Sequence, residues 1–146
     1  MQKPRTVPAD PSQWAVKSQR SVSFFFKKEY TDIHYKCWSC GTPSVFTAED
    51  QKYTYEVKKV NIDQQRVLCH ACWRESNRLQ SLLREKEANW AESKHKLRGN
   101  ADFLSEWLNL LQRLEHYVRY KPDIAKKNML KKLLQSVQQG KDSPHE

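Results

Sequence analysis

Residues 37–72 open on Cys37-Trp38-Ser39-Cys40 and close on Cys69-His70-Ala71-Cys72, with 28 residues between the two quartets. These are the chain's four cysteines, and all of them fall into two Cys-x-x-Cys pairs. Each pair can turn two thiolates onto one cation, and two pairs complete a tetrahedron of soft donors, the preference of Zn²⁺ in a closed structural site. Four thiolates leave no open coordination position, which argues against metal-bound water and hydrolysis. The stretch therefore predicts a zinc ribbon holding one structural Zn²⁺ through Cys37, Cys40, Cys69 and Cys72. Two competing readings are weaker. Disulfides need an oxidising compartment, and residues 1–20 lack the apolar core of a secretory signal. A redox dithiol of the thioredoxin kind comes singly beside a β-α-β pattern, and none is seen.

Around this centre the sequence lays out short elements. Ile33, Tyr35 and Cys37 alternate with His34 and Lys36, the pattern of a half-buried strand entering the first pair. Gly41 follows Cys40, where a tight turn calls for positive φ and close approach of backbone N–H groups to sulfur. Val45-Phe46 gives a second short strand. Thr47-Ala48-Glu49-Asp50 fits a capping box, predicting a helix over about 48–58 with Tyr53 and Val57 on one face and Glu56 in solvent. Val60, Ile62 and Arg66–Cys69 read as a strand returning to the second pair.

Several of these residues match a known pattern. Tyr35-Lys36-Cys37-x-x-Cys40, Phe46-Thr47-Ala48-x-x-Gln51, Tyr53/Tyr55 and Arg66-x-x-Cys69-x-x-Cys72-x-Arg74 resemble the bacterial "probable zinc-ribbon" domains over about residues 30–75. Those domains carry Phe-Thr-x-x-Glu-Gln between their pairs and close on Arg-Cys-x-x-Cys-Arg. Here Asp50 stands before Gln51 in place of Glu, residues 58–66 lack the usual Gly and Pro, and Trp73 separates Cys72 from Arg74. The four ligands stay in register. The resemblance implies metal binding, with nucleic-acid or protein contacts as the usual role of small ribbons.

Upstream, residues 1–23 hold three of the six prolines and few apolar side chains beyond Trp14, Val16 and Val22, which predicts a flexible arm. Trp14 can anchor that arm on the same chain or touch a partner. Phe24-Phe25-Phe26 cannot all face one side of a strand. The segment is expected either to be covered on both faces or to wrap against the later helices.

Downstream the period becomes helical. Leu79, Leu82, Leu83, Trp90 and Leu97 mark a helix from about 71 or 73 to 98, stopped by Gly99, with Asn100 capping the next. Residues 101–120 are apolar on more than half their circumference, which predicts burial between two neighbours. A turn at Lys121-Pro122-Asp123 leads to a third helix over about 123–138, ended by Gly140. The expectation is an α+β protein: arm 1–23, four-cysteine ribbon 24–75, three-helix bundle 76–140 and disordered tail 141–146.

Function is less sharply written. The formal charge is +9. Residues 24–75 carry eight basic and seven acidic groups, so the surplus lies in the arm and the helices. No apolar run reaches the length of a membrane span, and the chain reads as cytoplasmic. His34, His70, His95, His116 and His145 are scattered, no Ser or Cys has a base for activation, and no Gly-rich phosphate loop occurs, so an enzyme is not expected. His70 could replace a cysteine as ligand, which four thiolates make unnecessary. A nucleic-acid surface would draw on Lys58, Lys59, Arg66, Arg74, Arg78, Lys127 and Lys131, with Trp38 and Trp73 to stack on bases. The alternatives are a solvated basic face, or a protein-interaction module or homodimer formed through the amphipathic helices.

Overall fold

The computed structural model describes residues 5–120 and 123–142, and the side chains of 140–142 are not described. The protein is α+β, with small antiparallel sheets followed by a helical C-terminal region. It divides into two compact units, residues 1–69 and 70–146. The division falls at the second cysteine pair, a few residues before the 75/76 boundary expected from the cysteine motif.

The first unit is built on two antiparallel strand pairs. β1 (Thr6–Pro8) pairs antiparallel with β2 (Glu29–Thr31), and β3 (Ile33–Lys36) with β4 (Pro43–Phe46). Two one-turn helices, α1 (Val16–Gln19) and α2 (Ser23–Phe26), lie between β1 and β2. Residues 5–23 are therefore not a flexible arm. Trp14 is buried in a core with Tyr30, Phe46, Ala48, Tyr55 and Ile62, and its indole N–H donates to Tyr30 Oη at 2.8 Å. Tyr30 in turn donates to Glu56 Oε2 at 2.7 Å, and the Asp10 N–H reaches the same oxygen at 3.1 Å. What orders the segment is this non-local network, which composition does not reveal. Burial, with the hydrogen bond to Glu56 behind it, pushes the Tyr30 phenol well above its ordinary range.

The Thr47 cap forms as expected: its hydroxyl accepts from the Asp50 N–H at 3.1 Å and opens α3 (Ala48–Lys52), which continues as a π turn over Tyr53–Val57. The buried face is a different one from that expected. Tyr53 and Val57 are exposed, whereas Ala48, Gln51, Tyr55 and Glu56 are buried. Polar side chains go inside here because each finds partners. Gln51 Nε2 donates to Thr31 O at 2.7 Å and Phe46 O at 2.9 Å, and Glu56 accepts from Tyr30 and pairs with Lys52.

No strand returns to the second cysteine pair. Asn61 makes an Asx turn, with Asp63 N–H on its Oδ1 at 2.8 Å and Gln64 N–H on its carbonyl at 3.0 Å, and Lys59 sits at φ +58°. The loop is held by single anchors: Ile62 N–H on Ser18 Oγ at 3.0 Å, Tyr55 Oη on Gln64 O at 2.6 Å and Tyr35 Oη on Leu68 O at 2.7 Å. Phe24 to Phe26 also depart from expectation. They form α2, with Phe24 against the core and Phe25 and Phe26 out in solvent.

The second unit is three helices: α4 (His70–Leu97, with a non-helical kink at Ser93), α5 (Ala101–Leu114) and α6 (Ile124–Asp142). Asn100 caps α5 through the Phe103 N–H at 3.1 Å. Asp123 caps α6 through the Lys126 N–H at 3.0 Å, and the rest of the expected turn, Lys121-Pro122, lies outside the described residues. α5 is shorter than expected, ending in a turn after Leu114, and α6 runs past Gly140 to Asp142. Residues 143–146 of the expected tail lie outside the described residues. Phe103, Leu104, Trp107, Leu110 and Leu114 of α5 are buried against Leu79 and Leu83 of α4 and Leu130 of α6. The wide apolar face of α5 is thus covered within its own unit.

Candidate metal centre and surface cations

The first cysteine pair sits at the turn between β3 and β4. Backbone hydrogen bonds shape this turn: Cys37 N–H to Thr42 O at 2.9 Å, Gly41 N–H to Cys37 O at 2.9 Å and Trp38 N–H to Val67 O at 2.7 Å. Gly41 takes φ +76° with open space around it, so its role is conformational. The second pair comes from the last residue of the 58–69 loop and the first turn of α4, Cys69 and Cys72. The four Sγ atoms all lie within 4.8 Å of one another, and none of the four cysteines is in a disulfide. Four sulfurs about 2.3 Å from a common ion stand about 3.8 Å apart at the corners of a tetrahedron. The Cys40–Cys69 separation is 3.7 Å, so the arrangement fits the group.

The electrostatics point the same way. Burial alone would raise the Cys37 thiol, but backbone N–H groups of Cys40, Cys69 and Ser39 directed at its sulfur outweigh that and bring it down to about 6. Cys40 is lowered as well, by the Thr42 hydroxyl at 3.0 Å and the Thr42 backbone. These are fixed dipoles that favour thiolates, the form that binds metal. The four cysteines are clustered to coordinate one metal ion, and the closed thiolate set suits one structural zinc. His70 is exposed and stacks on Trp73 with ring centroids 6.0 Å apart; the cluster is cysteine alone.

The seven cations expected to read nucleic acid are dispersed, and most are engaged. Arg66 pairs with Asp50 at 3.5 Å and lies over the Phe46 ring at 4.4 Å. Arg78 and Glu75 pair at 2.6 Å, Lys127 pairs with Glu115, and Lys59 donates to Gln13 O. Lys58 lies over the Tyr53 ring at 5.5 Å. Arg74 and Lys131 are exposed, on α4 and α6. Trp38 and Trp73 are each 45% exposed. A second set of cations, Lys17, Arg20, Lys27 and Lys28, lies outside those expected from the sequence and shares an acid-free stretch with exposed Phe25 and Phe26. The signal that marks it in the sequence is the lack of any Asp or Glu from residue 11 to 28.

Residues 31–81 match the model of a family described as a probable treble clef domain. The match takes in β3, β4, both cysteine pairs and the start of α4. No curated protein and no solved structure matches the chain. Among the described residues, no helix is long and apolar enough to cross a membrane.

Proposed function

We propose that the protein is a non-enzymatic module, organised by structural zinc, that binds nucleic acid. The observation that carries this reading is how charge is distributed in residues 5–69. Of the seven carboxylates there, five are engaged within the fold. Asp10 holds Ser12, Asp32 accepts from the Ala48 N–H at 2.7 Å, Glu49 pairs with Arg5, Asp50 with Arg66, and Glu56 with Tyr30 and Lys52. Lys17, Arg20 and Lys28 are exposed in the acid-free stretch, and Lys27 lies over the Tyr30 ring at 5.9 Å. The stretch from 11 to 28 thus carries a local positive excess with no carboxylate of its own, and a polyanion that releases counterions is its natural complement. The closed thiolate set offers no open metal position for catalysis. Pairing of two copies through the helices has no comparable feature in its favour, because the α5 face is already covered.

The test is anisotropy of labelled single-stranded and duplex DNA and RNA with the zinc-loaded protein, titrated with salt. Micromolar or tighter binding at low salt, with log affinity falling linearly in log salt, is expected. Reversal at Lys17 and Arg20 should weaken it, and reversal at Lys131 should not. Absence of binding to every probe at low salt overturns the reading and directs the search to acidic protein partners.

A further inference from the structure

The acid-free stretch carries more than charge. α1 and α2 pack on each other, and the corner they form is fixed from beneath: Trp14 and Ser18 are buried, Ser18 Oγ accepts from the Ile62 N–H at 3.0 Å, and Ser21 Oγ donates to Ser18 O at 2.6 Å. Phe24 turns into the core, and its ring meets Phe25 edge-on with centroids 5.4 Å apart. That leaves Phe25 and Phe26 each 75% exposed and Val22 73% exposed. With the corner pinned by buried residues, the two rings are held outward. Adjacent large apolar groups on a charged corner form a patch, and such patches on soluble proteins mark contact sites. Beside Phe26 a shallow open concavity of roughly 630 Å³ is lined by Ser23, Phe26, Lys27, Lys28 and Glu29.

We propose that Phe25 and Phe26, flanked by Lys17, Arg20, Lys27 and Lys28, form a stacking platform for unpaired bases of single-stranded nucleic acid. The proposal rests on the nucleic-acid reading above and names its site and substrate form. Phenyl rings have no donors or acceptors to read base edges, and in a duplex the base faces are already stacked on one another. Flat apolar faces are offered by unpaired bases, while the neighbouring cations meet the phosphates. A lipid surface suits the page less well. An interfacial amphipathic helix needs several turns with one apolar face, and α1 and α2 span four residues each. Glu29 is the one carboxylate on the concavity and opposes the phosphate strand there.

The experiment compares the full-length zinc-loaded protein with Phe25→Ser/Phe26→Ser, Lys27→Gln/Lys28→Gln and Glu29→Gln. The probes are labelled oligouridylate, oligothymidylate, a mixed-sequence duplex and phosphatidylserine-containing vesicles. Lys27 is half-buried over the Tyr30 ring and the other substituted positions are exposed, and circular dichroism with zinc stoichiometry checks that the fold is kept. The proposal expects single strands to bind more tightly than duplex. The double Phe variant should lose about 30-fold or more in single-strand affinity at an unchanged salt slope, because rings and not charges were removed. The double Lys variant should reduce the slope by about 1.4, and Glu29→Gln should tighten binding. If the double Phe variant binds single strands as the parent does, the platform is overturned while the nucleic-acid function stands. If the parent binds no nucleic acid at low salt, both are overturned. Vesicle binding lost with the two rings would then make a membrane the occupant.

Discussion

At the residue scale the four cysteines and Gln51 contribute in different ways. Each thiolate supplies a quarter of the metal's coordination, and a serine hydroxyl at its place is far too weakly acidic to replace it. Cys40→Ser should therefore lose stoichiometric zinc and the cooperative melting of residues 5–69, since metal binding and folding are linked. Colorimetric zinc release and near-ultraviolet dichroism read both, and a variant that kept its zinc and its transition would refute the structural role. Gln51 acts instead through hydrogen bonds, tying β2 to β4 by its donations to Thr31 O and Phe46 O. Gln51→Leu keeps the bulk but strands buried carbonyls, and should cost about 1–3 kcal/mol, read from the urea midpoint of the first transition. The cysteines could be read in advance because two Cys-x-x-Cys pairs fit few chemistries. Gln51 could be matched to a motif but not explained, because its partners lie on other strands. Glu56 departs from the expectation of a solvated side chain. A carboxylate on a helix normally faces water, and only the Tyr30 hydroxyl, the Asp10 N–H and Lys52 gathered around it make burial tolerable.

At the element scale, α4, α5 and α6 were readable because apolar residues recur at helical spacing over many turns and Asn100 and Asp123 carry their caps locally. The segment 5–31 was not. Its strands are three residues long and paired with one another across the intervening turns, so no local period announces them. The 58–69 loop misled in the opposite sense: Val60 and Ile62 look like a strand, but the Asn61 turn breaks it. Polar surface contacts also tie elements together. Glu75 on α4 meets Arg78 of the same helix at 2.6 Å and Arg113 of α5 at 2.9 Å. The Arg78 hydrogen bond, opposed by burial and helped by the charges of Arg78 and Arg113, holds the Glu75 carboxyl below the usual carboxylate range. A depressed acid contributes stability above its unfolded value of about 4.3 and loses it as pH falls through the lower folded value. Glu75→Gln should thus lower the helical unit's melting temperature slightly at neutral pH, and the gap should close as the pH drops below about 4. A gap that stayed constant from neutral to acid pH would mean that the Glu75 charge adds no stability through its two arginines.

At the scale of the whole molecule the chain has two cores of different character. One gathers Leu79, Leu83, Phe103, Leu104, Trp107, Leu110, Leu114 and Leu130, with a further ring of half-buried apolar side chains. It resembles an ordinary helical core and needs no staple. The other has six buried members from Trp14 to Ile62, beneath two sheets of two strands each. A unit of this size seldom closes the balance between burial and chain entropy without a metal or a disulfide. All four cysteines are thiols gathered for a cation, so metal is the staple available. Removal of zinc should then separate the two cores. With a strong chelator, near-ultraviolet signal from the first unit and protection of residues 37–69 from proteolysis should go first. Most of the far-ultraviolet helical signal should persist to a later, chelator-insensitive transition. Limited proteolysis with mass spectrometry would show a surviving fragment that starts beyond Cys72. A single transition that moved as one with zinc would mean that the helical core also depends on the metal, through Cys72 at the first turn of α4. In that case the ion would be the nucleus of the whole chain and not of its first half.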